Sequence, residues 1–393
     1  TQTYILDPTT RQPRLAALYD PLTTAANPKG AGFVRTPMAN NRIPVGRIDS
    51  VAAKAFALVP DSNSTPTDLT GANNMVSMSP KPRNIDQYMV RLDQQIGINN
   101  RLFGRMLHTK NNSTSVTPTF GENHPLDPTA AVSTSDNKQV VISDTHTFTA
   151  TLLNELRFSI TREVLQSYPS SYGKGVSTML GLPGGYTDII SPRFGIADMS
   201  ALGGDTSKLA LRYQTLGSLT NTLSKVLGRH NLKFGAEMRV SLDNNYQPGS
   251  VAGSFSFARD LSGNPQSPSA TGHGAATFLL GTVSSGSTAY GIAKADGFRY
   301  YAGFVQDDFK MNNRLTLNLG LRYELIGAPA ERFDRYSNFD PRAVNSVTGM
   351  PGAVKFAGKD FGRHIYPAEK KNFAPRIGFA YDVTGRGKLI ARG

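Results

Sequence analysis

Hydrophobic and polar residues alternate with a period of two in several stretches of this chain. In residues 314–325 every second side chain is large and apolar, and the residues between them are polar or glycine. Residues 231–242 follow the same pattern, with one alanine among the apolar positions. A strand gathers every second side chain on one face, whereas a helix would spread them around its circumference. Both stretches are therefore predicted to be β-strands.

The alternation also predicts which way the side chains point. If one face of these strands meets lipid, their charged residues must point to the other side. The residues predicted to face lipid are Leu232, Phe234, Met238, Leu315, Leu317, Leu319, Leu321 and Tyr323. The residues predicted to face the lumen of a barrel are Lys233, Glu237, Arg239, Arg322, Glu324, Arg376 and Asp382. For any single one of these charged residues, a structural role in the lumen is the favoured interpretation. A role on the path of a substrate is the alternative.

Weaker alternation extends the prediction to about ten strands. They are residues 87–95, 101–109, 138–149, 152–163, 212–226, 231–242, 298–310, 314–326, 373–382 and a final strand that the end of the chain cuts short. In residues 298–310 we assign Phe298, Tyr300, Ala302 and Phe304 to the apolar face. That choice puts Phe309 out of phase and predicts a β-bulge there. Tyr300, Tyr323, Phe339 and Tyr381 are candidates for an aromatic girdle at the membrane surface, and the facing of residues 101–109 stays open.

The connections between these strands alternate between short and long. Tight turns join the strands in pairs, and the pairs are joined by the long segments 110–137, 164–211, 243–297 and 327–372. Outer-membrane barrels have this rhythm, with short periplasmic turns and long extracellular loops, whereas a soluble sandwich would not normally carry several structureless loops of such length. The predicted fold class is an all-β, antiparallel transmembrane β-barrel, of which this chain supplies a part. Both ends of the chain look cut from a larger protein.

Two regions are expected. Residues 1–86 are predicted to form an extracellular loop or cap with one short helix, which Asp49 or Ser50 begins and Pro60 ends. Residues 87–393 are predicted to form the barrel segment, as five consecutive hairpins. The long connections are rich in Gly, Pro, Ser, Thr and Asn, which is typical of surface loops, some of them mobile.

Composition narrows the function classes. The chain has 39% hydrophobic and 18% charged residues, and no apolar run approaches the length of a membrane helix. The formal net charge is +13, but Lys and Arg are spread along the chain, so nucleic acid is not an expected partner. There is no cysteine, and the six histidines lack metal-ligand spacing. The pair Asp307-Asp308 is interpreted as solvated turn carboxylates. No catalytic, cofactor or metal residue is predicted, and the chain is not expected to be an enzyme.

Several phrases resemble a known family. Residues 304–310 (FVQDDFK) with 314–324 (RLTLNLGLRYE) are similar to paired strands of TonB-dependent outer-membrane receptors, and residues 372–382 to the strand that follows them. Further phrases resemble the Oar-like branch, which carries a carboxypeptidase-regulatory-like domain ahead of its plug: residues 19–23, 41–44, 47–49, 86–93, 100–105, 154–158 and 230–235. The resemblance spans residues 19–393 and thins in the long loops.

The resemblance implies a roughly 22-stranded barrel with a plug in its lumen, in the outer membrane of a Gram-negative bacterium. Implied partners are outer-membrane lipid, the plug domain of the same protein, the TonB complex and an unidentified substrate, without a cofactor. This sequence shows neither plug nor TonB box, so it does not itself support the energised step. Two other interpretations stay open: a passive porin or small stand-alone barrel of about ten strands, and a secreted all-β binding or adhesion protein.

Overall fold

The computed structural model describes residues 3–114, 118–182, 188–204 and 208–393. Before residue 83 it contains short elements. They are strands β1 (Tyr4–Leu6), β2 (Pro13–Leu15), β3 (Ala25–Ala26) and β4 (Phe33–Val34), helix α1 (Ser50–Leu58), and 3-10 turns at Pro21–Thr23, Ala39–Asn41 and Val45–Arg47. The side chain of Asp49 caps α1 by accepting hydrogen bonds from the backbone N–H groups of Val51 and Ala52. The predicted helix is therefore confirmed.

From residue 83 onward the chain forms a large antiparallel sheet, which we call the wall. Its strands lie side by side in the order in which they occur in the sequence. They are β5 (Arg83–Ile96), β6 (Asn100–Thr114), β7 (Ala131–Thr149), β8 (Leu152–Pro169), β10 (Ala210–Leu227), β11 (His230–Tyr246), β14 (Lys294–Lys310), β15 (Leu315–Ile326), β19 (Glu369–Asp382) and β20 (Ile390–Arg392). Every strand that the alternation predicts is present, and the all-β antiparallel fold is confirmed.

The long connections between wall strands hold further elements. They are α2 (Val176–Leu180), β9 (Arg193–Ile196), β12 (Ser254–Phe257), a 3-10 turn at Arg259–Ser262, α3 (Gly274–Leu279), β13 (Ser285–Ser287), β16 (Ala330–Glu331), β17 (Ser337–Val344) and β18 (Pro351–Phe356). Strands β9, β12 and β13 form a small sheet, and β16 pairs with one end of β14. Within the described residues, no helix is long and apolar enough to cross a membrane.

Short turns and long connections lie at opposite ends of the wall. The turn between β5 and β6 contains Gly97 with φ +62°, and the turn between β10 and β11 contains Gly228 with φ +57°. These left-handed conformations favour glycine, which has no Cβ. Such tight turns hold each pair of strands in one register, and every long connection returns at the other end of the wall.

Cross-strand pairing assigns each wall residue to one face of the sheet, because directly paired residues point to the same side. Leu319, for example, pairs with Asp307 on one side and with Ile377 on the other. We call this side the leucine face; it carries all residues predicted to face lipid, namely Leu232, Phe234, Met238, Leu315, Leu317, Leu319, Leu321 and Tyr323. We call the opposite side the charged face; it carries all residues predicted to face the lumen, namely Lys233, Glu237, Arg239, Arg322, Glu324, Arg376 and Asp382.

The facing predicted for β14 is wrong. Tyr300 pairs with Arg239 and Phe304 pairs with Gly235, so both aromatic residues lie on the charged face. The leucine face of β14 includes Arg299, Tyr301, Gly303, Val305, Asp307 and Phe309. Pairing continues through Phe309 without a shift in register, and the predicted bulge is absent there. Apolar residues occur on both faces of β14, so alternation within this strand alone could not choose between them.

The largest buried core lies among the long connections and not in the wall. Its members come from α1, α2, α3, β9, β12, the segment before β7 and the segment after β9: Ala52, Ala55, Leu126, Val176, Leu180, Phe194, Ile196, Leu202, Phe257 and Phe278. The ring of Phe278 lies 5.1 Å from that of Phe56, 5.3 Å from that of Phe194 and 4.8 Å from that of Phe257. We call this packed region the loop cap; it comprises residues 3–82, 118–130, 170–182, 188–204 and 247–293.

Hydrogen bonds tie the beginning of the chain to the rest of the loop cap. Asp49 N–H donates to the carbonyl of Leu279 at 2.8 Å, and Tyr19 N–H donates to that of Ser262 at 2.8 Å. The guanidinium of Arg35 donates to the carbonyl of Asp260 at 2.6 Å. Residues far apart in the sequence therefore build one folded unit, where the sequence alone predicted generic surface loops.

Candidate functional site: the charged face and the cap cleft

A network of charged side chains crosses three neighbouring strands on the charged face. Arg322 of β15 lies at its centre, and its Nη2 donates to Glu237 Oε2 at 3.0 Å. Its Nε donates to Glu324 Oε1 at 2.7 Å. Arg239 also pairs with Glu237. Each carboxylate thus has a cation beside it, which is the condition for keeping such groups away from bulk water.

Tyr300 belongs to the same network, although the sequence interpretation placed it in an aromatic girdle. Its hydroxyl donates to Glu324 at 2.8 Å and accepts a hydrogen bond from Arg322 at 2.8 Å. The guanidinium of Arg239 lies 4.8 Å from the centre of its ring. Tyr300 is directly paired with Arg239 of β11, which places it on the charged face. The sequence of β14 alone does not reveal this pairing.

The other predicted lumen residues lie outside the network. Arg376 lines a shallow groove beside Arg322, with a volume of about 210 Å³. Lys233 lies opposite Gln306 in the adjacent strand. Asp382 ends β19 and accepts a hydrogen bond from the backbone of Gly387 at 2.7 Å, so it holds the following turn.

Phe304 illustrates why glycine is needed in the wall. It packs over Gly235, where an added Cβ would come within 2.0 Å of the ring. Any side chain at position 235 would therefore displace Phe304 from the charged face. The glycine in the phrase 230–235 thus has a packing function.

The leucine face carries a histidine–carboxylate contact near its short turns. His230 Nδ1 lies 2.6 Å from Asp307 Oδ2, and the His230 ring stacks on Phe309 at 4.4 Å. The interpretation of Asp307 as a solvated turn carboxylate is therefore wrong. Asp307 lies two residues from both Val305 and Phe309, so the alternation could have placed it on the same face as these two apolar residues.

A cleft of about 570 Å³ opens in the loop cap. It is lined by aromatic side chains, among them Phe56 and Phe120, and by amide and hydroxyl side chains, among them Asn73, Asn74 and Ser200. Within the described residues, the one charged side chain in its lining is Asp198. The carboxylate of Asp198 is held by Arg259, whose Nε donates to it at 2.7 Å.

His273 lies beside this cleft and is 7% exposed. Its Nδ1 accepts the backbone N–H of Ala275 at 3.1 Å, so a neutral ring carries its proton on Nε2. Burial lowers the pKa of His273, and the nearby carboxylate of Asp198 opposes this only in part. The histidine is therefore a neutral hydrogen-bond donor near pH 7. No group of three or more His, Asp or Glu side chains in the described residues is arranged to bind a metal ion.

The family of the chain follows from a comparison with known sequence families. A model of the outer membrane beta barrel domain matches residues 5–393. The chain belongs to this family. The wall is accordingly part of a β-barrel of the bacterial outer membrane, and both the predicted fold class and the predicted location are confirmed. A search of curated proteins found no match.

Solved structures with similar strand arrangements include three outer-membrane proteins. The outer membrane transporter YddB from Escherichia coli has 9% identity and a TM-score of 0.41, with 77% of this chain and 30% of that chain covered. The ferric-catecholate import receptor Fiu from E. coli K12 has 12% identity and a TM-score of 0.40, with 78% and 46% covered. The siderophore receptor PiuA from Acinetobacter baumannii has 9% identity and a TM-score of 0.39, with 83% and 42% covered. The chain spans less than half of the length of each.

Proposed function

We propose that this chain forms part of the wall and the outer cap of a transporter that takes up a small substrate across the outer membrane. The observation that carries the proposal is the separation of the two faces of the wall. Apolar side chains occupy the leucine face, and the charged residues that pair with one another, such as Arg322 and Glu237, occupy the charged face. A wall with lipid on one side and a polar lumen on the other needs this division.

In this proposal the loop cap recognises the substrate. Its cleft lies at the end of the wall with the long connections, where a solute from outside would arrive. A volume of about 570 Å³ suits a small molecule. Because Arg259 neutralises Asp198, the cleft favours an uncharged ligand that can bond to His273 and to the asparagine amides. No catalytic step is part of the proposal.

The finer proposal is an Oar-like TonB-dependent receptor, in which a plug domain fills the lumen against the charged face and the TonB complex supplies energy. Its support is the order and spacing of the phrases at residues 304–310, 314–324 and 372–382. These phrases form the adjacent strands β14, β15 and β19.

Conductance in planar bilayers separates the proposal from its alternatives. We expect the full-length protein to insert and to show no steady conductance, and reversible unfolding of the plug by urea should then open a channel. A steady conductance without urea would indicate a passive porin instead. A protein that stays monodisperse in plain buffer and does not insert would be a secreted binding protein, and the transporter proposal would be rejected.

A further inference from the structure

A second cavity lies on the leucine face, at the end of the wall with the long connections. Its volume is about 540 Å³. The floor consists of Val240, Leu242 and Tyr301 from β11 and β14, and the segment before β19 covers it with Tyr366. The leucine face thus continues without interruption into the floor of this cavity.

Arg299 lies in the cavity and is an unusual residue for this face. It occupies the leucine face of β14, directly opposite Val240 in the adjacent strand. It is exposed, and within the part of the chain that the structure describes no carboxylate pairs with its guanidinium. An unpaired cation against hydrocarbon is costly, so Arg299 requires an anionic partner or water at this level.

The position of Arg299 along β14 shows whether its side chain lies in the hydrocarbon or at the level of the lipid headgroups. Arg299 lies eleven residue steps from the end of β14 at Lys310. At about 3.3 Å per residue and a tilt of about 40°, this is a height of about 28 Å, compared with an apolar band about 25 Å tall. Arg299 therefore lies at the outer border of the band, where the headgroups of the outer leaflet begin.

Neighbouring strands carry cations at the same border. Arg162 of β8 lies on the leucine face, two cross-strand pairs farther out than Arg299. Lys138 of β7 is directly paired with Arg162. Arg162 donates to the hydroxyl of Thr215 at 2.7 Å, which fixes it against the wall. Lys138 is paired with Asp136 of the same face at 3.6 Å, so the arginines of β8 and β14 supply the positive charge of this border.

The cavity is built into the fold, because several contacts fix its cover to the wall. Glu331 is fully buried and accepts hydrogen bonds from the backbone of Ala295 at 3.0 Å and from that of Phe333 at 2.7 Å. Gly327 N–H donates to the carbonyl of Arg299 at 2.8 Å, and a Cβ at position 327 would approach that oxygen to 2.7 Å. The ring of His364 contacts the carbonyl of Ala328 at 3.0 Å.

A second arginine contributes charge to the cavity. Arg363 lines it and forms a bidentate pair with Asp334, with the closer contact at 2.7 Å. Two arginines with one carboxylate leave a net positive charge beside an apolar floor. A ligand that fits must therefore combine an anionic head with an apolar body.

We propose that this cavity binds the phosphate-bearing headgroup of an outer-leaflet lipid, with Arg299 on the phosphate and an acyl chain along Val240 and Leu242. Guanidinium and phosphate form strong charge-assisted hydrogen bonds, and the apolar floor continues the lipid-facing surface. The proposal rests on the lipid-facing assignment of the leucine face and is independent of transport. It assigns the site a role in anchoring the barrel in its leaflet.

Lipid binding by the detergent-extracted full-length protein tests the site. Native mass spectrometry would titrate lipid A, with phosphatidylcholine and inorganic pyrophosphate as comparison probes. We expect Arg299→Gln to weaken lipid A binding about tenfold. The matched control is Arg342→Gln, an exposed arginine of β17 away from the cavity, which should change binding less than about twofold. Arg299→Lys keeps the charge and should retain most of the affinity.

The outcomes separate a lipid site from other possibilities. Equal lipid A binding by wild type and Arg299→Gln would overturn the proposal, as would equal losses in Arg299→Gln and Arg342→Gln. If pyrophosphate displaced the lipid at the same concentration as lipid A itself, the site would bind free anions and the lipid assignment would be wrong. If Arg299→Gln failed to fold, a clear loss of lipid A binding in Arg363→Gln with most of the affinity retained in Arg299→Lys would still support it. Full lipid A binding by Arg363→Gln would then overturn it. Transport could fail in the conductance experiment without affecting any of these results.

Discussion

The wall and the loop cap are stabilised by different physical means. In the wall, large apolar side chains such as Leu319 and Ile377 remain 41% and 85% exposed within the protein, and the backbone ladder joins the strands. In the loop cap, Phe278 and Leu180 are almost fully buried, and three aromatic rings surround Phe278. The wall therefore needs lipid to cover its apolar side chains, whereas the cap covers its own.

The two regions also differ in how their sequences specify the fold. The wall depends on local alternation, and the loop cap depends on contacts between distant segments. A wall strand can be recognised from its own sequence, because its period of two places every second residue on one face. A cap residue contributes through partners that are distant in sequence, as when α1 packs against α3. If this is correct, substitutions in one region should leave the other intact.

The largest effect is expected in the loop cap. Phe278→Ala removes the ring at the centre of the aromatic cluster, and large-to-small changes of this kind cost about 3–5 kcal/mol. Hydrogen exchange measured by mass spectrometry should show lost protection in α1, α3 and β12, with the wall strands unchanged. Phe339→Ala is the matched control, because Phe339 is 61% exposed in β17. Equal loss of protection in β10 and β11 would show that cap and wall are not separate units.

The second effect is expected in the wall. Leu321 lies on the leucine face opposite Val305, five residues from Lys310 and about halfway across the apolar band, so Leu321→Arg should lower the free energy of unfolding in lipid bilayers by about 2–4 kcal/mol. Asn318→Arg places the same charge on the charged face of the same strand and should cost much less. Denaturant titration in vesicles gives both values. Equal costs for the two variants would contradict the division of the wall into two faces.

The smallest effect concerns pH and again distinguishes the cap from the wall. Burial lowers the pKa of His273 in the folded state, so the unfolded state binds its proton more readily. The stability of the cap is then fully present above the unfolded pKa, about 6.5, and falls as the pH drops below it. Hydrogen exchange of α3 at pH 7.5 and pH 5, corrected for intrinsic rates, should show the decrease. His273→Asn keeps the cap acceptor of α3 and should remove the pH dependence; a dependence that persists in this variant would assign it to another group.

The sequence predicted the wall well because its information is local. The alternation in β15 and β11 was sufficient to group Leu315 with Leu232 and Arg322 with Glu237, before any register was known. The prediction failed in β14, where aromatic residues lie on both faces and only the pairing of Tyr300 with Arg239 decides. The start of β5 at Arg83 was also missed, because element boundaries carry little local signal.

The loop cap could not be predicted in the same way. Phe56, Phe194 and Phe278 are isolated apolar residues in segments dominated by Gly, Ser and Pro, and nothing in their local pattern indicates that they meet. The cap cleft follows from that packing, so Asp198 and His273 had no sequence signal beyond their residue type. The charged network on the wall was predicted in part, since four of its members were predicted to face the lumen, whereas Tyr300 was assigned to the apolar face.

Chemical labelling of single cysteines tests the central division of the wall most directly. The chain has no cysteine, so Asn318→Cys and Leu319→Cys each introduce one reactive thiol on opposite faces. Both positions are exposed in the protein itself, and lipid is the factor that should distinguish them. In opened outer membranes, a membrane-impermeant maleimide should label Asn318→Cys and leave Leu319→Cys unlabelled until detergent is added. Rapid labelling of Leu319→Cys in the intact membrane, with Asn318→Cys protected, would contradict this account.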